Sequence, residues 1–496
     1  MLVRHSNSLH AELKIDDVVA GRRRLSPADA LRLHREASLH DLGRWASAVC
    51  ERIHGPDVRT YVIDRNVNYT NVCSARCTFC AFRRDEGDDD AYVLDADQLH
   101  QKLRELVDIG GTQVLLQGGM HPGLGLDFYT DMLRGMKRAF PRVHIHGFSP
   151  PEFVEFVAVL DMPGFPRTPP KQSHTLDRDL WLAKLEAVMR VLQAAGLDSI
   201  PGGGGEIFAE HVRRRIGLGK ATAEQWLDVM TVGHKLGMKT SATMMFGHVE
   251  GTADRIDHMA RVRGRQDLAL ERGYDGRYLS FIAWPFQREN TPMGRLPDFD
   301  RSTGEAFPGD ILADAVFEQT RNLGAKPPPS VADGPTPDEA PGARAAAMQA
   351  PEPDVPRAGK VLRMAGAIEY LRTQAVARLF LDNVHSIGSS WVTMGPRVGQ
   401  TALLFGANDM GSVMMEENVV SAAGTTYCLT EPVLCHLIRD AGFTPAQRGN
   451  GYELLKVHRG DDAPDRRVTD WSTQRAAALH QESTHLEPMA VTIDGR

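Results

Sequence analysis

Cysteine is scarce in this chain, with six among 496 residues. So small a number, unevenly spread, excludes a disulfide-stapled framework and leaves reduced thiols as the expectation. Long apolar runs are missing too: none approaches the roughly 18 residues that cross a bilayer. The N-terminal stretch MLVRHSNSLHAELKIDD has no apolar core of the secretory kind, so the reading is cytoplasmic, without membrane insertion. Nor is there an excess of basic charge. A net charge of −7, with no long Lys/Arg run, argues against a nucleic-acid partner and for a small-molecule substrate.

What is present describes a globular α/β protein. Hydrophobic residues make up 42% and charged residues 24%, as in ordinary soluble domains. The stretches RTYVIDR, TQVLLQGG, VHIHGFS, TSATMMFG, RYLSFIAW, ARLFLDNV and TALLFGAN read as strands. Between most of them lie helical patterns such as ADQLHQKLRELVDIG. Strands alternating with helices imply βα units on a parallel sheet, and six to eight units favour a TIM-type (β/α) barrel, complete or partial. A doubly wound open sheet is the other arrangement that this periodicity allows.

The expected layout has an N-terminal helical extension over 1–57, a barrel with a cysteine loop over 58–324, a C-terminal part over 360–460 that completes the barrel, and a polar tail over 461–496. Two Pro-rich insertions interrupt it, Asp161–Gln172 and the Pro/Ala-rich linker 325–359, which has too little apolar content to order itself.

Three of the six cysteines fall within eight positions. Cys73, Cys77 and Cys80 form C-x3-C-x2-C in NVCSARCTFCAF, directly after the first strand, so at the C-terminal mouth of a barrel. Four thiolates usually hold a [4Fe–4S] cluster; three would leave one iron open to a small molecule. A structural zinc site wants four protein ligands in paired spacings, and neither Cys50 nor His54 lies in a second C-x2-C. Buried, inert thiols are the remaining reading.

C-x3-C-x-aromatic-C resembles the motif of the radical S-adenosylmethionine (SAM) superfamily. The stretches RNVNYTNVCSARCTFCAF, LLQGGMHPGLGLDFY, VHIHGFSPPE, GLDSIPGGGGEIFAEHVRRRI and SATMMFGHVE are similar to the subgroup that contains the futalosine-pathway menaquinone enzymes and the deazaflavin synthase. Within it, FIAWPFQREN, GANDMGSVMMEENVV and IRDAGFTPAQR most resemble the dehypoxanthine futalosine cyclase family, while GGGGEIFAEHVRRRI also resembles aminofutalosine synthase. The resemblance implies a [4Fe–4S] cluster held by Cys73, Cys77 and Cys80, SAM on its open iron, and an electron donor such as flavodoxin or ferredoxin. It further implies hydrogen abstraction from a substrate sugar by a 5′-deoxyadenosyl radical and ring closure onto an attached benzoate.

The same resemblance sets Gln117, Gly118 and Gly119 against the methionine end of SAM, where glycine lets backbone approach a ligand. Phe79 is either an adenine neighbour or core packing. Glu206, after four glycines, reads as a contact to the SAM ribose or amine, or as a helix N-terminal carboxylate. His146 shares a strand face with His144, so the two read as a metal-binding pair or, more simply, as hydrogen-bonded neutral histidines of the barrel interior; His146, nearer the mouth, and Ser149 after it are the substrate-contact candidates. Asn408, Glu416 and Glu417 in GANDMGSVMMEENVV read as further substrate contacts or as N-terminal helix charges. His248 and Glu250 in FGHVE read as proton-transfer groups, or as a structural pair.

Overall fold

The structure is a computed structural model and describes residues 8–165, 177–300, 305–306, 361–425 and 427–474. The linker 325–359 lies outside these residues, as do the later parts of the Asp161–Gln172 insertion and of the polar tail.

Eleven strands form one sheet: β1 (Val58–Val62), β2 (Asp64–Asn68), β3 (Gln113–Gln117), β4 (His144–Gly147), β5 (Ser199–Ile200), β6 (Lys239–Phe246), β7 (Tyr278–Pro285), β8 (Ser386–Gly388), β9 (Asp409–Ser412), β10 (Thr444–Arg448) and β11 (Leu454–Val457). Their order is β11-β10-β1-β9-β8-β7-β6-β5-β4-β3-β2. All pairs are parallel except β10 with β11. Only Ile63 separates β1 from β2. β1 pairs with β9 (Thr60 with Asp409, Val62 with Ser412), whereas β2 pairs with β3 from Asp64–Gln113 to Asn68–Gln117. Both flanks of the sheet therefore meet on the segment 58–68, and the sheet curls into a TIM-type barrel.

Helices cover the outside, each started by local chemistry. Ser26 caps Pro27–Glu36 in a capping box with Asp29, Asp95 caps Ala96–Asp108 with Gln98, and Thr222 caps Ala223–Lys235 with Gln225. The N-terminal helices Pro27–Glu36 and Leu39–His54 pack on Ala367–Phe380. Arg372 ties them together by donating to the carbonyls of His34 and Ala37, each at 2.8 Å.

Two expected strands are helical. ARLFLDNV runs through the end of the helix Ala367–Phe380, and TALLFGAN through the helix Pro396–Ala402 and the turn Leu403–Phe405. Ala367–Phe380 is buried from Thr373 to Phe380 without interruption, because the N-terminal helices cover the side that would otherwise face water. Burial on all faces erases the 3.6-residue period, and a short apolar run then looks like a buried strand. The strands that replace them, β8 and β9, are short and rich in Gly, Ser and Asp.

The chain closes the lower end of the barrel with the β10–β11 hairpin. Its loop reaches the starts of β4 and β5, where Asn450 donates to His144 Nε2 (2.6 Å) and Ser199 Oγ (3.1 Å). Arg448 anchors this hairpin. Its Nε and Nη2 donate to Asp409 Oδ2 and Oδ1 at 2.6 and 2.9 Å, and its guanidinium lies 4.0 Å from the centre of the Tyr452 ring. Both charges are buried. Replacing one partner of such a pair leaves the other unpaired in a dry interior, at a cost of about 3–5 kcal/mol. Arg448→Met should lower the urea midpoint accordingly, and adding Asp409→Asn should recover part of the loss.

Candidate active site

The cysteine loop follows β2 and is fixed by backbone from three directions. Residues Arg76–Cys77 pair antiparallel with Gly217–Leu218, and Thr78 N–H donates to Ile216 O at 2.9 Å. Cys73 N–H donates to Arg84 O (3.1 Å), and Ser74 N–H to Met120 O (2.8 Å). Met120 N–H in turn points at Cys73 Sγ, 3.3 Å away. Burial pushes the Cys73 thiol up to about 11 and the Cys77 thiol up to about 12. Thiols so desolvated stay protonated unless a metal takes the proton's place.

Among the described residues, no three His, Cys, Asp or Glu side chains converge on one metal ion. Thiolates that bind different irons of a cluster sit further apart than those sharing a single zinc. The donor set, three thiols on one rigid loop with an N–H aimed at a sulfur, fits a polynuclear iron–sulfur group with one open iron.

Below the loop lies a cavity of about 450 Å³ that runs down the barrel interior, lined by all three cysteines. Gln117, Gly118 and Gly119 line it from the end of β3. A Cβ on Gly119 would sit 2.0 Å from Val72 O and 2.9 Å from Cys73 Cβ, so close approach to the cysteine loop requires this glycine. Gly118 N–H donates to Glu152 Oε1 at 3.0 Å. Glu152 also takes Tyr69 OH (2.8 Å), Ser149 N–H (2.6 Å) and Ser149 Oγ (2.7 Å). Burial raises this carboxyl to about 7 against those four donors. Ser149 lines the cavity, but its hydroxyl is committed to this capping box.

Phe79 and Glu206 form the facing side. Lys220 pairs with Glu206 Oε1, and its ammonium lies 4.7 Å from the centre of the Phe79 ring. The lysine's charge also bears on Cys77, so it offsets negative charge on the loop. The glycine run has an internal reason. Cβ atoms at Gly202 and Gly205 would meet the β6 backbone, at 2.7 Å from Ser241 O and 2.5 Å from Thr243 O. Arg213, wholly buried, donates to the carbonyls of Gly204, Gly205 and Ala221. Strand packing thus requires Gly202 and Gly205, while Gly202, Gly203 and Gly204 also line the cavity. Glu206 lies ahead of the helix Glu210–Ile216, not at its first turn.

Deeper, His146 lines the cavity with its Nδ1 2.6 Å from Ser199 Oγ; burial drives this imidazole down to about 3, so it is neutral. Glu417 also lines it, capping Asn418–Ala422 through the N–H groups of Val419 and Val420.

Four expected site residues lie off the cavity. His248 and Glu250 are fully buried behind β6. Glu250 accepts from the N–H groups of Gly247 and His248 at 2.7 and 2.8 Å and from Arg255 Nε at 2.8 Å, a structural pair and not a proton-transfer pair. Asn408 is spent on Arg378 Nη2 (2.7 Å) and Ile387 N–H (2.9 Å). Glu416 pairs with Lys102 Nζ at 2.8 Å and Arg65 Nε at 2.6 Å. In each case the polar group serves the fold: Asn408 and Glu416 meet charged partners from distant segments, and Glu250 meets Arg255 five residues further on. Sequence reading passed over Lys220, Asp64 and Arg448, all on the cavity wall. The acid inside the apolar run of RTYVIDR was a usable signal for Asp64; Arg448 carried none.

Three thiols at the rim of a parallel barrel, with one cavity beneath, define a protein of the radical SAM class. The chain belongs to that superfamily, matching it over residues 67–262 and matching the CofH/MqnC C-terminal region over residues 351–460. It is 36% identical to a cyclic dehypoxanthine futalosine synthase from Halalkalibacterium halodurans, covering 89% of this chain and 95% of that one. It is 33% identical to a 5-amino-6-(D-ribitylamino)uracil–L-tyrosine 4-hydroxyphenyl transferase from Methanopyrus kandleri, covering 88% and 91%. Among solved structures, methylornithine synthase shares the fold, with a TM-score of 0.52 at 13% identity over 87% of this chain and 97% of that one. The chain is thus a radical SAM enzyme using a [4Fe–4S] cluster and SAM. Among the described residues no helix is long and apolar enough to cross a membrane.

Two outcomes follow from this geometry. Gly119→Ala forces a methyl group into the Val72 carbonyl; it should cost about 3 kcal/mol and lower the iron content of reconstituted protein, read by iron assay beside unchanged far-UV circular dichroism. For Glu250, burial alone would raise the carboxyl, but His248, Arg255 and two N–H groups outweigh it and hold it at about 2 against an ordinary 4.5. Its stabilisation, about 3 kcal/mol, is complete above pH 4.5 and disappears as pH falls towards 2. Glu250→Gln should lose that stability at pH 7 and show a flatter acid limb in urea titrations.

Proposed function

We propose that this enzyme converts dehypoxanthine futalosine to cyclic dehypoxanthine futalosine, a step of menaquinone formation by the futalosine route. The near full-length likeness to the Halalkalibacterium halodurans cyclic dehypoxanthine futalosine synthase carries this reading. The continuous cavity supports it, because it runs from the three cysteines to side chains deep in the barrel. When bound, the cluster and SAM together supply a 5′-deoxyadenosyl radical.

The chain's own residues position, neutralise and exclude. Cys73, Cys77 and Cys80 would hold the cluster, and Lys220 balances charge beside Cys77. Gln117, Gly118, Gly119, Phe79 and Glu206 face the space next to it, as SAM-binding residues would. Neutral His146 and Glu417 face the deeper space, as substrate contacts would. The hairpin loop brings Asn450 over the lower end of the barrel, against His144 and Ser199. A low-potential donor such as a flavodoxin or ferredoxin delivers the electron, and the work takes place in the cytoplasm.

The test is anaerobic turnover of the reconstituted enzyme with SAM, dithionite and dehypoxanthine futalosine, read by mass spectrometry. The expected result is substrate-dependent 5′-deoxyadenosine and a product two mass units lighter than the substrate. Deoxyadenosine with untouched dehypoxanthine futalosine would discard this substrate and turn attention to the aminofutalosine and deazaflavin-type reactions.

A further inference from the structure

Ring closure leaves a chemical demand that no group discussed so far meets. A sugar C–H bond is broken homolytically, with the hydrogen atom going to deoxyadenosine. The sugar carbon then forms a C–C bond to the arene. The resulting ring radical regains aromaticity only by losing one proton and one electron. The electron has a destination in the oxidised iron–sulfur cluster, which SAM cleavage leaves one electron short. The proton needs a base inside a closed barrel.

The carboxylates on the cavity wall differ sharply in what already binds them. Glu206 is paired with Lys220, and Asp409 with Arg448. Glu152 accepts four donors, two on each oxygen. Glu417 accepts two backbone N–H groups on Oε1 and Asn66 Nδ2 on Oε2. Asp64 stands apart: Oδ1 takes the Ser412 hydroxyl and Oδ2 takes the Gln113 amide at 3.0 Å, both neutral donors. Each oxygen keeps a free lone pair. The residue is buried and lines the cavity. It begins β2, four residues below Asn68 and so about 13 Å down the strand from the cysteine-loop end.

We propose that Asp64 is the base that takes the arene proton during ring closure, a role that rests on the cyclase reading above. Its position below the rim fits the division of the cavity, with the cofactor-facing side chains crowded at the mouth and the substrate beneath them. His146 is the competing acceptor on the wall, but its Nδ1 is 2.6 Å from Ser199 Oγ and its Nε2 faces Ser241 at 3.4 Å. The charged groups near Asp64 are Asp409 from β9 and Arg448 from β10, already joined to each other; β3 contributes only the neutral Gln113. Burial, against the Ser412 and Gln113 donors and the Arg448 charge, holds the Asp64 carboxyl up at about 6. Such a base is ionised at neutral pH yet basic enough to capture a proton.

The experiment compares the full-length reconstituted wild type with Asp64→Asn and Asp64→Glu under anaerobic turnover from pH 5 to pH 8. Iron content, SAM affinity and affinity for dehypoxanthine futalosine without reductant are measured in parallel. Asp64→Asn should keep its iron, both affinities within a few-fold, and substrate-dependent deoxyadenosine release. Its cyclised product should fall by about 10²–10⁴-fold, with a reduced adduct of the substrate's own mass in its place. The wild-type yield should rise with pH through about 6, a limb absent in Asp64→Asn and displaced in Asp64→Glu, which regains part of the activity. Unchanged cyclisation and pH profile in Asp64→Asn overturn the proposal. If Asp64→Asn holds no iron, Asp64→Glu decides, and a wild-type profile there overturns it equally. A wild type that leaves the substrate intact defeats the cyclase reading itself, and the proposal with it.

Discussion

One stretch of backbone, Val58–Asn68, carries both edges of the curled sheet. Its first half pairs with β9 and β10 and its second half with β3. A strand can do this only where its pairing changes hands, and the change falls at Ile63, between β1 and β2. Everything that makes the cavity depends on this seam. It brings β9 beside β2, so that Ser412 reaches Asp64; it gives β10 a partner; and it aims the end of β2 at the rim, where the cysteine loop begins. The Arg448–Asp409 pair, which also takes the Thr60 hydroxyl, sits across the same seam. A buried ion pair is weak evidence for net stability. Here it fixes which strands meet, and so the register on which the site is built.

Much of this arrangement is legible in the sequence, for identifiable reasons. The early strands are apolar and flanked by capped amphipathic helices, so their periodicity survives. The cysteine spacing is legible because one loop supplies all three thiols. The later strands are not legible: β5, β8 and β9 are two to four residues long, too short to carry alternation. Their identity comes from neighbours already in place. The polar residues divide in the same way. Gly119 packs against the cysteine loop, and Gln117 and Gly118 line the same cavity. Asn408 and Glu416 instead meet Arg378 and Lys102, partners whose nearness no local pattern announces, while Glu250 is taken up by Arg255 and by the N–H groups of its own turn.

Electrostatics follow a single rule along the cavity. Almost every buried carboxylate is neutralised by a cation or consumed by N–H and O–H donors, as the cost of a bare charge in a dry interior demands. Radical chemistry profits from such a wall. Paired and hydrogen-bonded groups offer few loosely held hydrogens. Asp64, with only two neutral donors, is the departure from this rule, and departures of that kind concentrate where protons must move.

The lower wall of the cavity and its rim come from different parts of the chain. The chain resembles a cyclic dehypoxanthine futalosine synthase and a 4-hydroxyphenyl transferase to nearly the same degree, 36% and 33%. The rim of this chain is occupied by the cysteine loop and the residues that pack beside it. The region matched by the CofH/MqnC C-terminal family supplies β8, β9 and the β10–β11 hairpin. From these come Ser389, Trp391, Asp409, Arg448 and Tyr452, all on the cavity wall. This region lies beside the start of β2 and brings the Ser412 hydroxyl to Asp64. The part of the chain that completes the barrel is therefore also the part that can shape the space around the arene.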